Sequence, residues 1–242
     1  VMSILVMRIL VTKKENVLKG IQLFEKIPPK YVRGICKIGI PTALQGMAYC
    51  MISMVLTRMV SGFGAEAIAT QRVGGQIESV SWNTADGFGA ALNAFIGQNY
   101  GAGKMDRVKK GYRASLITVG VWGLFITLLF VCFPEQISGV FFHEPTAIAT
   151  AVGYMIIIGY SEAFMSVELM TVGALSGLGK THLCSVISIT LTSARIPLAI
   201  LLSGTALGLL GIWWALTATS VVKGIVFVMA FYWITARMRN SK

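Results

Sequence analysis

Glu78, Asp86, Glu162, Glu168, Arg195 and Lys223 are ionisable residues set within otherwise apolar stretches. In a membrane such residues line routes for protons, ions or substrates, because an unpartnered charge in hydrocarbon is expensive. The other ingredients of catalysis are thin. His143 and His182 are the two histidines, too few for a zinc site, and no Ser–His–Asp set can be argued. Cys36, Cys50, Cys132 and Cys184 share no metal spacing. No catalytic residue, metal ligand or cofactor is therefore assigned, and an intramembrane enzyme is the weaker class.

One motif needs a separate argument. Ala174-Leu-Ser-Gly-Leu-Gly179-Lys180-Thr181 looks like a relaxed phosphate-binding loop. A true one follows a strand and opens a helix. Here an apolar, helix-length run precedes it, Ala stands for the first Gly, and no carboxylate is placed to hold magnesium. The segment reads better as a tight cytoplasmic turn, with Gly177 and Gly179 ending a helix and Lys180 at its negative end.

The elements that must position these residues follow from composition. Of 242 residues, 55% are hydrophobic and 13% charged, with mean hydropathy +0.72. Soluble domains carry about 25% charged residues. The expected fold is an all-α polytopic membrane bundle of six transmembrane helices, at 38–59, 67–98, 115–133, 148–176, 183–203 and 210–236. Residues 1–11 are apolar but too short to cross. Orientation follows from Lys and Arg in the connections. Arg8 to Lys37, Lys104 to Arg113, Lys180, and the tail Arg237, Arg239 and Lys242 fall on one side, and Arg58 alone on the other. The basic side is cytoplasmic, so both ends of the chain face the cytoplasm. The net charge of +11 is this topology signal rather than a nucleic-acid surface.

The second span is the least lipid-like. It holds Gln71, Arg72, Gln76, Glu78, Ser79, Ser81, Asn83, Thr84, Asp86 and Asn93. These groups cannot all face acyl chains, so the helix is expected to line a path, with Glu78, Asn83 and Asp86 as candidates. Glu162 and Glu168 stand about 120° apart on a helix and do not share a face. Glu168, with Thr171 one turn on, is the candidate to hold a proton or cation. In the fifth span Pro197 favours a kink, and Arg195 requires a carboxylate or water. Counting rise per residue from the outer face puts Arg195 at a depth of about 12 Å, Glu78 about 17 Å, Lys223 about 20 Å and Glu162 about 21 Å. Asp86 and Glu168 come out near 29–30 Å, roughly the inner face. Arg195 is therefore expected to form a structural ion pair with Glu162 or Glu78, leaving Glu168 free. Gly204-Thr-Ala-Leu-Gly208 is expected to let two backbones approach closely.

Four segments resemble a known family. Lys37-Ile-Gly-Ile-Pro41-Thr-Ala-Leu-Gln45 is similar to the opening of the seventh helix of multidrug and toxic compound extrusion (MATE) transporters. Phe95-Ile-Gly-Gln98-Asn99-Tyr-Gly101-Ala-Gly103 resembles their loop after the eighth helix, Gly173 to Thr181 the end of their tenth, and Arg195-Ile-Pro197-Leu-Ala199 part of their eleventh. The resemblance implies one lobe of a twelve-helix transporter. Residues 1–12 would then be the end of a preceding transmembrane helix, 13–37 a basic cytoplasmic inter-lobe linker, 38–236 the six-helix lobe and 237–242 a cytoplasmic tail.

The implied function is export of xenobiotics and organic cations from the cell, coupled to inward sodium ions or protons. The implied partners are membrane lipid, small cationic or amphipathic molecules, and an N-terminal six-helix lobe. Many members keep an acidic residue in the seventh helix, whereas 38–59 has none and offers Gln45, Tyr49 and Ser53. A lipid-linked glycan flippase of the same superfamily is the alternative, and would need a larger, more cationic cavity than the second span suggests. A non-transporting membrane fragment is the third reading. The topology is tested by fusions at the C-terminus: green fluorescent protein placed there should fluoresce and alkaline phosphatase should be inactive, and the reverse would invert the assignment.

Overall fold

A backbone in hydrocarbon must satisfy its own hydrogen bonds, which long apolar runs do by forming helices. The computed structural model describes residues 28–240, and all regular structure among them is α-helical. The expected preceding helix end at 1–12, most of the linker (13–27) and the last two residues lie outside the described residues. Two compact units are distinguished, Val1–Lys37 and Ile38–Lys242. The second carries everything that follows.

The helices are α1 (Pro29–Ser61), α2 (Ala65–Gly101), α3 (Met105–Cys132), α4 (Pro134–Phe141), α5 (Pro145–Gly177), α6 (Thr181–Ser193), α7 (Arg195–Ser203) and α8 (Leu209–Asn240). Among the described residues five spans are long and apolar enough to cross a membrane: α1, α3, α5, α8 and the run Thr181–Ser203 that joins α6 to α7. The sixth, α2, is diluted by the polar residues noted above. Two helices start well before the apolar runs. Residues 29–37, assigned above to a linker, are the first turns of α1, and the basic segment 105–114 is the first part of α3. Charged flanks continue a helix readily once outside hydrocarbon, so the apolar run marks the span and not the helix. The short α4, opened by Pro134 at its first turn, was not anticipated.

α5 is the axis of the bundle, and α2, α3 and α8 all pack on it. Each approaches through a glycine. A Cβ added at Gly123 would sit 2.6 Å from the Ala163 Cα, and one at Gly224 2.7 Å from the Phe164 carbonyl oxygen. Gly89 of α2 faces the backbone of Leu169, and Gly173 of α5 lies directly on the backbone of Gly89. The close approach anticipated at Gly204–Gly208 is thus found elsewhere. That segment is the turn joining α7 to α8, where Gly208 has φ +51°.

The remaining core is apolar. Val119, Ile96, Met170, Leu175, Phe227 and Phe231 form the largest cluster. Tyr112 stacks on Phe231 with ring centroids 3.6 Å apart. Ile126, Phe130, Ile157 and Trp213 form a second cluster. The third, Ile52, Leu56, Val60, Ala199 and Ile212, is where α1 packs, and those three α1 residues are its only buried ones among the described residues. The Ala174–Thr181 motif is a helix-ending turn. Lys180 N–H donates to the Leu175 carbonyl at 2.9 Å around Gly179, whose φ of +73° suits a residue without Cβ. Lys104 N–H to Asn99 O at 2.8 Å closes α2 the same way around Gly103.

Gly173→Ala should lower stability by about 1–3 kcal/mol, since its Cβ meets backbone that cannot rotate away. Gly87→Ala, with open space around it, should be neutral or stabilising by up to about 1 kcal/mol. Unfolding in denaturing detergent, followed by loss of helical circular dichroism, measures both.

Candidate functional site

Four helix faces converge on a cavity of about 870 Å³. α1 supplies Thr42, Gln45, Tyr49, Ile52 and Leu56; α5 supplies Tyr154, Ile158, Ser161, Met165 and Glu168. These numbers advance by three and four, so each helix contributes a single stripe. α2 gives Gln71, Arg72, Gln76, Glu78 and Trp82, while α8 gives Leu216, Ser220 and Lys223. The kinked pair α6–α7 closes the side with Ser188, Thr192 and Arg195. The break falls at Ala194, three residues before Pro197, which lacks the N–H that would bond one turn back.

Charge is distributed unevenly around this wall. Lys223 Nζ donates to Glu168 Oε1 at 2.8 Å, with both side chains 7% exposed. It is the one ion pair within 4 Å among the described residues. Glu168 Oε2 has no hydrogen-bond partner. Glu78 accepts the Tyr154 hydroxyl at 2.5 Å, and the Tyr154 ring is held edge-on to Trp213, centroids 5.0 Å apart. Arg195 donates from Nε to Thr219 Oγ1 at 3.0 Å and from Nη2 to the Ser220 hydroxyl at 2.8 Å.

Several expectations are corrected here. Arg195 pairs with neither Glu162 nor Glu78; two hydroxyls of α8 hold it. Glu168 is not left unpaired but meets Lys223. The depth count fails because α5 has 33 residues, about 50 Å of helix against about 30 Å of hydrocarbon. Distance from its outer end therefore overstates depth. Thr171 does not assist Glu168. It faces α3, its hydroxyl 3.0 Å from that of Tyr112. Asn83 and Asp86 are exposed and absent from the cavity wall, and the Asn83 amide donates to the Ser79 carbonyl one turn back at 2.6 Å. Glu162 is fully buried beside Ser81, outside the cavity, with no partner on either oxygen. Of the candidates, Gln45, Tyr49, Glu78 and Glu168 do line the cavity.

Lys223 was visible as an intramembrane cation but not as a site residue. Thr219 and Ser220 gave no signal, being unremarkable small polar residues in an apolar helix. Their spacing from Lys223 along one face of α8 was the available clue.

A family model described as MatE matches residues 41–201. The probable multidrug resistance protein NorM of Thermotoga maritima is 27% identical over 209 residues, covering 85% of this chain and 45% of that protein. The protein of the same description from Pseudomonas aeruginosa is 29% identical over 220 residues, covering 86% of this chain and 44% of that one. A crystal structure of MATE in the straight conformation superposes with TM-score 0.88 at 16% identity, covering 99% of this chain and 54% of that one. The chain spans about half the length of the curated relatives it matches.

Removing one member of a buried pair strands the other, typically at a cost of about 3–5 kcal/mol. Lys223→Met and Glu168→Gln should each destabilise the lobe. The double substitution should recover a large part of the loss, since no buried charge remains. A double-mutant cycle in denaturing detergent measures the coupling, and additive losses would show that the pair contributes nothing.

Proposed function

Because this chain belongs to the MatE family, we propose that it forms the C-terminal half of a multidrug efflux transporter, exporting amphipathic xenobiotics, organic cations among them, in exchange for inward sodium ions or protons. The observation that carries the reading is a largely apolar cavity between the helices of a membrane bundle that holds buried charged side chains, with a carboxylate oxygen of Glu168 open to a further partner. Glu168 is the coupling residue in this reading. A proton or sodium ion taken up there weakens its hold on Lys223 and changes the charge of the wall. Gln45, Tyr49 and Glu78 are pathway residues. Asn83, Asp86 and Thr171 lie outside the cavity and leave the pathway; Glu162 acts in packing.

Transport requires alternating access, in which two halves rock around a shared site. This lobe works against a second six-helix lobe, in the cell membrane, with both ends of the described bundle cytoplasmic. A lipid-linked glycan flippase is the second reading. It is favoured by Arg72, Arg195 and Lys223 in the lining, more basic residues than the second span alone suggested.

The chain expressed alone should not export ethidium. Co-expression with the first six-helix lobe of a relative should restore efflux, and Glu168→Gln should cut the restored rate about tenfold or more. Glu162→Gln at equal protein level should cut it less. Efflux by the chain alone with no dimer detectable, or equal losses in the two variants, overturns this assignment.

A further inference from the structure

The preceding reading makes the cavity a guest site; the identity of the guest's polar group follows from Arg195. We infer that Arg195 anchors an anion-binding subsite in this cavity, made for a carboxylate, sulfonate or phosphate carried by an amphipathic guest.

Arg195 is 7% exposed and lines the cavity. A guanidinium carries five N–H donors and does not lose its charge in proteins. Nε and Nη2 are fixed by Thr219 and Ser220, neighbours on α8. Both partners are neutral, and the Thr219 hydroxyl itself donates to backbone carbonyls of its own helix. They orient the fork without cancelling its charge. Nη1 has no described partner.

The carboxylates of the wall are already engaged. Glu168 is bound to Lys223 at 2.8 Å, and Glu78 accepts from Tyr154. Neither comes within 4 Å of an Arg195 nitrogen. With Lys223 taken up by Glu168, Arg195 is the buried cation of the lining that no carboxylate pairs. Arg195 feels the Glu78 carboxylate across the cavity but is hydrogen-bonded only to hydroxyls, so an incoming anion that reaches the fork directly stabilises it further.

The rest of the guest is read from the walls. The cavity is of drug-sized volume. Beside the arginine it offers the aromatic faces of Tyr49 and Trp82 and the apolar side chains Ile52 and Leu56. An anionic or zwitterionic amphipath places its charge on the fork and its flat apolar body on these residues. The same anionic chemistry is carried by soluble amphipaths and by lipid headgroups.

The test uses the chain in phosphatidylcholine nanodiscs and two dyes that share a ring system, anionic fluorescein and cationic rhodamine 123. Fluorescence polarisation should show fluorescein binding about tenfold or more tightly than rhodamine 123. Arg195→Met should erase that preference, and Arg195→Lys, which keeps the charge but not the fork, should retain part of it. Equal or tighter binding of rhodamine 123 to the unsubstituted chain overturns the inference, whether or not the variants fold. So does a preference unchanged in Arg195→Met. Adding phosphatidylglycerol to the disc separates the sources. Loss of fluorescein binding supports the subsite with a lipid headgroup as occupant, and retention supports it with a soluble amphipath. The readout is independent of export. A chain that binds fluorescein but never restores ethidium efflux keeps this inference and loses the transport reading, and the opposite pair of results does the reverse.

Discussion

A charge inside a bilayer must find an opposite charge, a set of dipoles or a watery space. The arrangement of this bundle answers that demand for Glu168, Lys223 and Arg195 together. The bridge from Glu168 to Lys223 ties α5 to α8, and the contacts from Arg195 to Thr219 and Ser220 tie α7 to the same face of α8. Glu78 and Tyr154 tie α2 to α5. Four elements are thus registered against one another by polar contacts around one space, while apolar clusters above and below supply the packing.

α1 stands apart from this scheme. It contributes a stripe of polar and aromatic side chains to the cavity yet buries only Ile52, Leu56 and Val60. A wall held at one end moves more readily than one packed along its length. Of the cavity's sides, given by α1, α2, α5, α8 and the α6–α7 pair, α1 is the least packed.

Much of this was legible in the sequence because hydrocarbon leaves little choice. The spans follow from apolar runs, and the polar second span had to face inward. Gly179 and Lys180 announced a turn. Angular position was harder. Asp86 is eight residues from Glu78, about 80° round the helix, and Asn83 about 140°, enough to take both off the cavity stripe. Thr171 is turned about 60° from Glu168 and falls to α3. Sequence distance was a poor ruler of depth for the same physical reason that it is a good predictor of spans: a helix longer than the bilayer is thick tilts or projects, and no residue type says by how much. The hydroxyl cradle of Arg195 was invisible because Thr and Ser are as common on packing faces as on binding ones.

The glycine contacts around α5 carry a last implication, for how such a cavity changes over generations. Where Gly89 meets Gly173 and Gly123 meets Ala163, backbone touches backbone, and almost any substitution is rejected. Change in the shape of the cavity therefore has little raw material on that side. Variation that reshapes the cavity should accumulate on α1 and on the broken helix opposite, where side chains rather than main chains set the boundary. The packing thereby divides the bundle into a spine where main chains touch and a rim where side chains set the boundary.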